Sequence, residues 1–429
     1  MNFSNKIYLK LILKDVNKHN VANIPIAAFI YDFIKNEKFY INFEHPDLLS
    51  DISFKEFKEY IKYCDVYVIN KKKYKYWLNG CNLIDINLFG FIKYNNIIDE
   101  AGSSDGKCLS HINNININGF AVILPYVVHQ GIFDKEAEKI KEIDITEDNT
   151  YCFKFFNNII TDSLYIVEKN GLKINKSIFD KFYKSKTIND FVYTDYHIYN
   201  PTGRPSNSFD NINYAALKKD DGSRESFISR YINGYLLMVD FTGFHPYIVA
   251  NLIDYKVPDN ETIYEHLAKQ FYNVQDVTSE MMIQSKKSTM INLYGQIDEN
   301  FTDIEFFKKT EELKDVYWKK FQEKGYVYTP VYKRKITVNH IENPNKNKLF
   351  SYIIQAAETE YGIDSLSRCI KFVIDKDILP ILYTYDSILF DVHPDTSQKD
   401  IDDLIDIIKN KKFKVKVYKG ENYQNLKLI

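Results

Sequence analysis

Three charged side chains in this sequence stand where a charge is either costly or useful: Asp240, Asp386 and Lys286. Asp240 closes the apolar run "YLLMVD", and Asp386 interrupts "ILYTYDSILFDV", residues 381–392. Taking a carboxylate out of water costs several kcal/mol unless a partner or a metal compensates it. Two aspartates delivered from adjacent strands are a natural cage for Mg²⁺, which takes carboxylate oxygens at about 2.1 Å and keeps room for waters and substrate phosphates. A pair of such ions can stabilise both the attacking and the leaving oxygen of a phosphoryl displacement. The plainer reading makes both residues turn or cap positions. Lys286 lies in "SEMMIQSKKSTMINLYG", 279–295, where Met282, Lys286, Met290 and Tyr294 recur every four residues and share one helix face. Either Lys286 snorkels off the edge of a core, or the face is a platform on which Lys286 holds a triphosphate while Met290 and Tyr294 floor a base.

The elements that must position these residues can be read around them. "GYLLMVDFTGF" (234–244) reads as a strand and "FHPYIVANLIDY" (244–255) as the helix after it. From 261 to about 325 the pattern is helical, with the 279–295 helix stopping at Gly295. A further helix over 347–376 feeds the stretch that carries Asp386. Upstream, 162–183 reads as helix, glycine turn and helix, and 199–217 as a loop dense in Pro, Gly, Ser and Asn. The first hundred or so residues alternate β-rich runs ("IPIAAFIYDFI", "KFYINF", "CDVYVIN", "LIDINLFGFI") with the helical "SFKEFKEYIKYC", which predicts a small mixed α/β domain. Residues 101–118 read as a linker or surface loop.

With 429 residues, two or three packed units are expected, and 45% hydrophobic with 27% charged residues is ordinary for a globular chain. The net charge of −2 advertises no polyanion partner; the local basic runs at 70–77 and 331–348 read as solvated lysines unless something else calls for nucleic acid. Five scattered cysteines without a CxxC suggest neither a disulfide framework nor a zinc site, so a cytoplasmic setting is expected. No apolar run approaches the roughly 20 residues of a membrane helix, and the N-terminus lacks a signal-peptide core.

In this order, the segments resemble the polymerase motifs of family A DNA polymerases (the DNA polymerase I family), over roughly residues 160–429. "VDFTGFHPYIVANL" is similar to the first motif, whose leading Asp binds both metals, here Asp240 with the Phe241 carbonyl. "SKKSTMINLYG" is similar to the fingers helix, giving Lys286, Met290, Tyr294 and Gly295, and "YTYDSILFDV" to the palm hairpin with the other metal-binding Asp, Asp386. "TGRPSN" followed by "NINY" resembles the segment that contacts primer and template, giving Arg204, Asn211 and Asn213. "SRESF" gives Arg224 as a nucleotide contact, and "SYIIQAAE" gives Gln355 as a template contact, with Tyr385 also facing DNA. "LYIVEKNGLKIN" resembles the segment that opens the polymerase domain.

The resemblance implies an α+β right-hand polymerase fold: a palm with an antiparallel sheet (231–260 and 347–429), helical fingers (261–346), and a very short thumb or connector at 151–230. Residues 1–150 would form a degenerate RNase H-like, 3′–5′ exonuclease-like α/β domain. Editing needs Asp-x-Glu on its first strand; the corresponding strand is read as "AAFIYDFIKNEKFYINF", where Asp32 has no Glu two residues on, and Asp65 and Asp85 complete no set. The implied activity is template-directed DNA synthesis from dNTPs on a primer, in phage or viral replication, with two Mg²⁺ (or Mn²⁺ in their place). Implied partners are primer-template DNA and a processivity or replisome subunit.

The chain departs from that pattern in places. His245 stands where the family carries Glu, so it would sense the sugar 2′ position. Met282 stands where the fingers helix carries Arg, Met290 replaces the stacking aromatic, and Tyr385-Asp386-Ser387 replaces His-Asp-Glu. Some of these changes lean towards single-subunit phage-type RNA polymerases, the runner-up; a catalytically silent, DNA-binding scaffold is the third reading.

Overall fold

A computed structural model of the chain describes residues 3–14, 19–98, 125–145 and 150–429. The expected loop at 101–118 lies outside them. The chain divides into two compact units, Met1–Tyr165 and Ile166–Ile429. Among the described residues no helix is long and apolar enough to cross a membrane.

The first unit is built on a five-stranded sheet of β1 (Lys6–Leu13), β2 (Pro25–Asp32), β3 (Glu37–Asn42), β4 (Asp65–Val68) and β5 (Asn82–Asp85), in the order β3-β2-β1-β4-β5. β1 pairs antiparallel with β2 and parallel with β4. It is buried over seven of its eight residues, as expected for a central strand covered on both faces. One face, Ile7, Leu9 and Leu11, packs with Phe57 and Ile61 of α1 (Phe54–Ile61) and Tyr74 of α2 (Lys71–Leu78). On the other, Tyr8 and Lys10 both reach Glu136 of α4 (Tyr126–Lys141), Lys10 at 2.8 Å, which neutralises a fully buried ammonium.

This order corrects three readings. "AAFIYDFIKNEKFYINF" is not the first strand; it supplies β2 and β3, and the central strand is "KIYLKLIL" upstream of it. "LIDINLFGFI" is β5 followed by a helix, α3 (Asn87–Tyr94), because the Asp85 carboxylate accepts from the Asn87 amide and turns the chain. The lysines at 70–77 are not a solvated patch. Lys71 and Lys72 are buried, the Lys71 ammonium donates to the Asn157 carbonyl at 2.8 Å, and Lys75 pairs with Asp162 at 2.7 Å.

The second unit centres on an antiparallel sheet of β6 (Tyr235–Phe241), β7 (Ile378–Tyr383), β8 (Ser387–Val392), β9 (Val415–Gly420) and β10 (Lys427–Leu428), ordered β7-β8-β6-β9-β10. β6 continues through Gly243 into α5 (Phe244–Leu252). Gly243 has φ +61°, and a Cβ there would meet Ile263 Cγ2 at 2.9 Å, so both backbone and space demand glycine. Then come α6 (Ile263–Tyr272), α7 (Ser279–Tyr294), α8 (Glu305–Lys324) and the long α9 (Lys346–Phe372), followed after the β7–β8 hairpin by α10 (Gln398–Lys409). α9 passes so close to the hairpin tip that a Cβ on Gly362 would lie 2.5 Å from the Tyr383 hydroxyl. The 199–217 region is more ordered than a loop: Ser206–Phe209 and Ile212–Asn213 form a hairpin.

Two buried polar anchors fix the hairpin. The Tyr196 hydroxyl donates to the Tyr383 carbonyl at 2.9 Å and accepts from the Tyr383 amide at 2.8 Å. Tyr196→Phe leaves both backbone groups unpaired in a dry interior, so it should cost about 1–3 kcal/mol in denaturant unfolding. The second anchor, Arg230 with Asp391, is treated in the Discussion.

Candidate active site

Asp240 is the sixth residue of β6, directly opposite Ser387 on β8 and Lys416 on β9. Opposite residues of antiparallel strands share a face, so Asp240, Ser387 and Lys416 project from the same side of the sheet. Asp386 does not interrupt a strand. It sits at the tip of the β7–β8 hairpin, where its carbonyl accepts from the Phe241 amide at 2.8 Å and its own amide donates to Thr384 at 2.6 Å. The tip is tight enough to hold Tyr385 at φ +59°, an uncommon conformation for a large side chain. Neighbouring strands therefore deliver the two carboxylates to one place.

Neither carboxylate hydrogen-bonds or ion-pairs with another of the described residues. Burial, reinforced by the negative charge of Asp386, pushes Asp240 up to about 6, against the pull of Lys219, Lys286 and Lys416. Asp386 is open to solvent, yet desolvation by the surrounding protein and the charge of Glu358 raise it too. Two mutually repelling carboxylates with no compensating partner are what a divalent cation would relieve. Among the described residues no group of three or more His, Cys, Asp or Glu side chains could hold a metal; a cation on this pair would complete its shell with a carbonyl, water and substrate oxygens.

A stability consequence follows. The folded protein holds the Asp240 proton near 6 instead of the ordinary 3.8. The stability this group contributes is therefore full below the ordinary value and is lost as pH rises through about 6. Asp240→Asn should raise the stability of the metal-free protein at pH 7 and flatten its change between pH 4 and pH 7, in urea unfolding across that window.

Lys286 is exposed on α7, and its ammonium lies 6.0 Å from the ring of Tyr264 on α6. The Tyr264 hydroxyl points to the Met290 sulfur at 3.8 Å, so this tyrosine underlies the Lys286–Met290 face. At the end of the same face, the Tyr294 hydroxyl and His245 Nδ1 share a hydrogen bond, and burial keeps the Tyr294 hydroxyl well above its usual pKa and therefore protonated. His245 Nε2 in turn lies 2.8 Å from Glu358 Oε1, and Glu358 Oε2 accepts from Arg204 Nε at 2.5 Å. The Arg204 guanidinium stacks on the Tyr385 ring at 4.3 Å. Burial alone would raise Glu358, but the imidazole and the guanidinium outweigh it and hold it ionised, below the usual carboxylate range. The structure thus brings together Asp240, Phe241, Asp386, Lys286, Met290, Tyr294, His245, Arg204 and Tyr385.

The remaining candidates have local duties. Arg224 donates twice to the Leu217 carbonyl, at 2.7 and 3.2 Å, and stacks on Tyr423. Asn211 has φ +68° in a hairpin turn with Asp210, and Asn213 caps the Ala215 amide at 3.2 Å. Gln355 donates to Ser351 one turn before it on α9 and is half-buried, three residues ahead of Glu358. In the basic run at 331–348, Arg334 is buried, donates to the Pro201 carbonyl at 2.9 Å and lies against Gly203, bracing the loop that carries Arg204.

Sequence reasoning missed Glu358, Tyr264, Lys219 and Lys416. Lys416 had a weak signal, in that it alternates with buried Val417 on a strand; the others depend on contacts between distant elements.

No family model matches this sequence, and no curated protein matches it. Among solved structures, the chain is similar to the POL domain of Pol1 from M. smegmatis in complex with DNA primer-template and dNTP. The match has a TM-score of 0.74 at 12% identity and covers 99% of this chain and 96% of that one. At this identity the likeness speaks for the fold. The chain therefore has the α+β fold of a DNA polymerase domain.

Proposed function

We propose that this protein is a template-directed DNA polymerase that extends a primer with dNTPs. The observation that carries the reading is the pair Asp240 and Asp386: one carboxylate on β6 and one at the tip of the neighbouring β7–β8 hairpin, without partners among the described residues, with the charge of Lys286 acting on Asp240. The fold it shares with a polymerase domain bound to primer-template and dNTP supports the same choice of substrates.

In this reading 231–260 and 347–429 form the palm, 261–346 the fingers, and 151–230 a short thumb or connector. Residues 1–150 are an exonuclease-like domain without editing activity. The mixed five-stranded sheet supports the first half of that statement. The second is supported by the engagement of its acids: Asp32 accepts from Ser4, Ile34 and Lys35, and Asp85 from Lys71 and Asn87.

Asp240 and Asp386, with the Phe241 carbonyl, would hold two Mg²⁺ (Mn²⁺ suits the same oxygens), which supply charge neutralisation at the attacking hydroxyl and the leaving pyrophosphate. The primer 3′-oxygen attacks the α-phosphorus, the bond to the β-phosphate oxygen breaks, and pyrophosphate departs with that electron pair. Lys286 offsets the charge that develops on it and can donate a proton. Met290 and Tyr294 floor the nascent base pair, and His245 stands beside the sugar. Arg204, Tyr385, Gln355, Asn211, Asn213 and Arg224 line the approach of the duplex, where cationic and polar groups position the backbone.

Primer extension on a primed template in Mg²⁺, with dNTPs and rNTPs offered separately, tests the reading. Extension with dNTPs supports it, extension with rNTPs alone moves the protein to RNA synthesis, and tight DNA binding without incorporation leaves a scaffold.

A further inference from the structure

Glu358 is a carboxylate that the two-aspartate chemistry does not use. It is 2% exposed on α9, and a glutamate is almost never so buried unless paired. Its two oxygens have different partners: Oε2 takes Arg204 Nε, and Oε1 faces His245 Nε2 at 2.8 Å. At its other ring nitrogen His245 shares a hydrogen bond with the Tyr294 hydroxyl. His245 Nε2 is buried and makes no hydrogen bond of good geometry, so Glu358 bears on the ring by close approach. The imidazole is therefore clamped from both sides, one clamp on α7 and one on α9, while Arg204 ties α9 to the Tyr385 tip.

The position of this chain relative to a nucleotide follows from helix geometry. Lys286 and Tyr294 are eight residues apart, about 12 Å along the axis. With phosphates at Lys286 and a base over Met290 and Tyr294, the sugar lies between them, beside the ring of His245. A sugar hydroxyl pressed against this wall would have to displace a ring held between Tyr294 and Glu358.

We propose that Glu358 is a positioning residue for sugar discrimination: by holding His245 against Tyr294 it closes the wall beside the sugar, so that the pocket favours 2′-deoxynucleotides over ribonucleotides. This rests on the polymerase reading above. Glu358 touches no substrate; it acts through His245.

The test is single-nucleotide incorporation with a dNTP and the rNTP of the same base, kcat/KM being measured for each, with melting temperature recorded alongside. For the unaltered protein the dNTP is preferred. In Glu358→Ala the preference should fall about tenfold or more, mainly because rNTP incorporation rises. Glu358→Gln keeps an oxygen of the same reach facing the His245 ring and should retain most of the preference. If Glu358→Ala does not fold, Glu358→Asp decides: it keeps a charge for Arg204 but withdraws it by one methylene from His245, and should show the same loss. A merely structural role would slow both sugars alike, and an unmoved ratio with normal dNTP incorporation overturns the proposal alone. An unaltered protein that prefers the rNTP overturns it as well. No incorporation of either nucleotide overturns the polymerase reading beneath it.

Discussion

Replacing Asp386 with alanine should lower nucleotide incorporation by on the order of 10³-fold or more, the equivalent of several kcal/mol of transition-state stabilisation, without unfolding the protein. The two halves of this expectation have separate causes. Activity is lost because the carboxylate is one of the two at the site that lack a partner among the described residues, and what it would hold neutralises charge at the reacting phosphate. The fold survives because the hairpin tip is held by backbone bonds that alanine keeps: the carbonyl to Phe241 at 2.8 Å and the amide to Thr384 at 2.6 Å. The side chain itself contributes strain, since desolvation by the surrounding protein and the charge of Glu358 raise its pKa, so its removal also relieves Asp240. Melting temperature should therefore hold steady or rise while single-turnover incorporation collapses. Incorporation within tenfold of the unaltered rate would contradict the role given to Asp386.

The largest effect on stability should come from Asp391→Ala, at about 3–5 kcal/mol, because removing one partner of a buried ion pair leaves the other charge uncompensated. Asp391 is fully buried on β8. Its carboxylate accepts from Ser229 Oγ at 2.5 Å, the Arg230 amide at 3.0 Å and Arg230 Nε at 2.8 Å. Arg230 Nη2 then donates to the Asn170 and Gly171 carbonyls at 2.9 and 3.0 Å. One carboxylate thus fixes the guanidinium that fastens the segment before β6 to the turn at Asn170 and Gly171. Equilibrium unfolding in urea, followed by two probes because the chain has two units, reads the loss. A change below about 1 kcal/mol, the worth of an exposed pair, would show that the clamp is not formed as described.

The parts of the site legible in the sequence are those encoded locally. Asp240 at the end of "YLLMVD", the four-residue spacing of Lys286, Met290 and Tyr294, and Gly295 at the helix end are all short-range patterns, and the structure keeps them on one strand and one helix. Gly295 ends α7 with φ −99°, outside the left-handed region usual for a helix-ending glycine; it is needed because a Cβ would meet the Ile291 carbonyl at 2.8 Å. What stayed illegible depends on long-range packing. In "QAAETEYGID" nothing local separates Glu358, which meets Arg204 and His245, from Glu360, which accepts from Thr329, Val331 and Tyr332. The lysines at 70–77 read as surface because burial of an ammonium depends on partners 86 or more residues away in sequence, Asn157 and Asp162. Asn211 and Asn213 matched a motif, yet each also has a turn or cap duty that would alone justify asparagine.

The decisive experiment is to offer the full-length protein four primed templates that differ only in the base opposite the next position, with each dNTP separately, in Mg²⁺. Incorporation should follow the template base in all four cases and disappear when Asp240 or Asp386 is replaced by alanine. Addition of the same nucleotide whatever the template, or incorporation that persists without both carboxylates, would contradict a template-directed centre built on this pair.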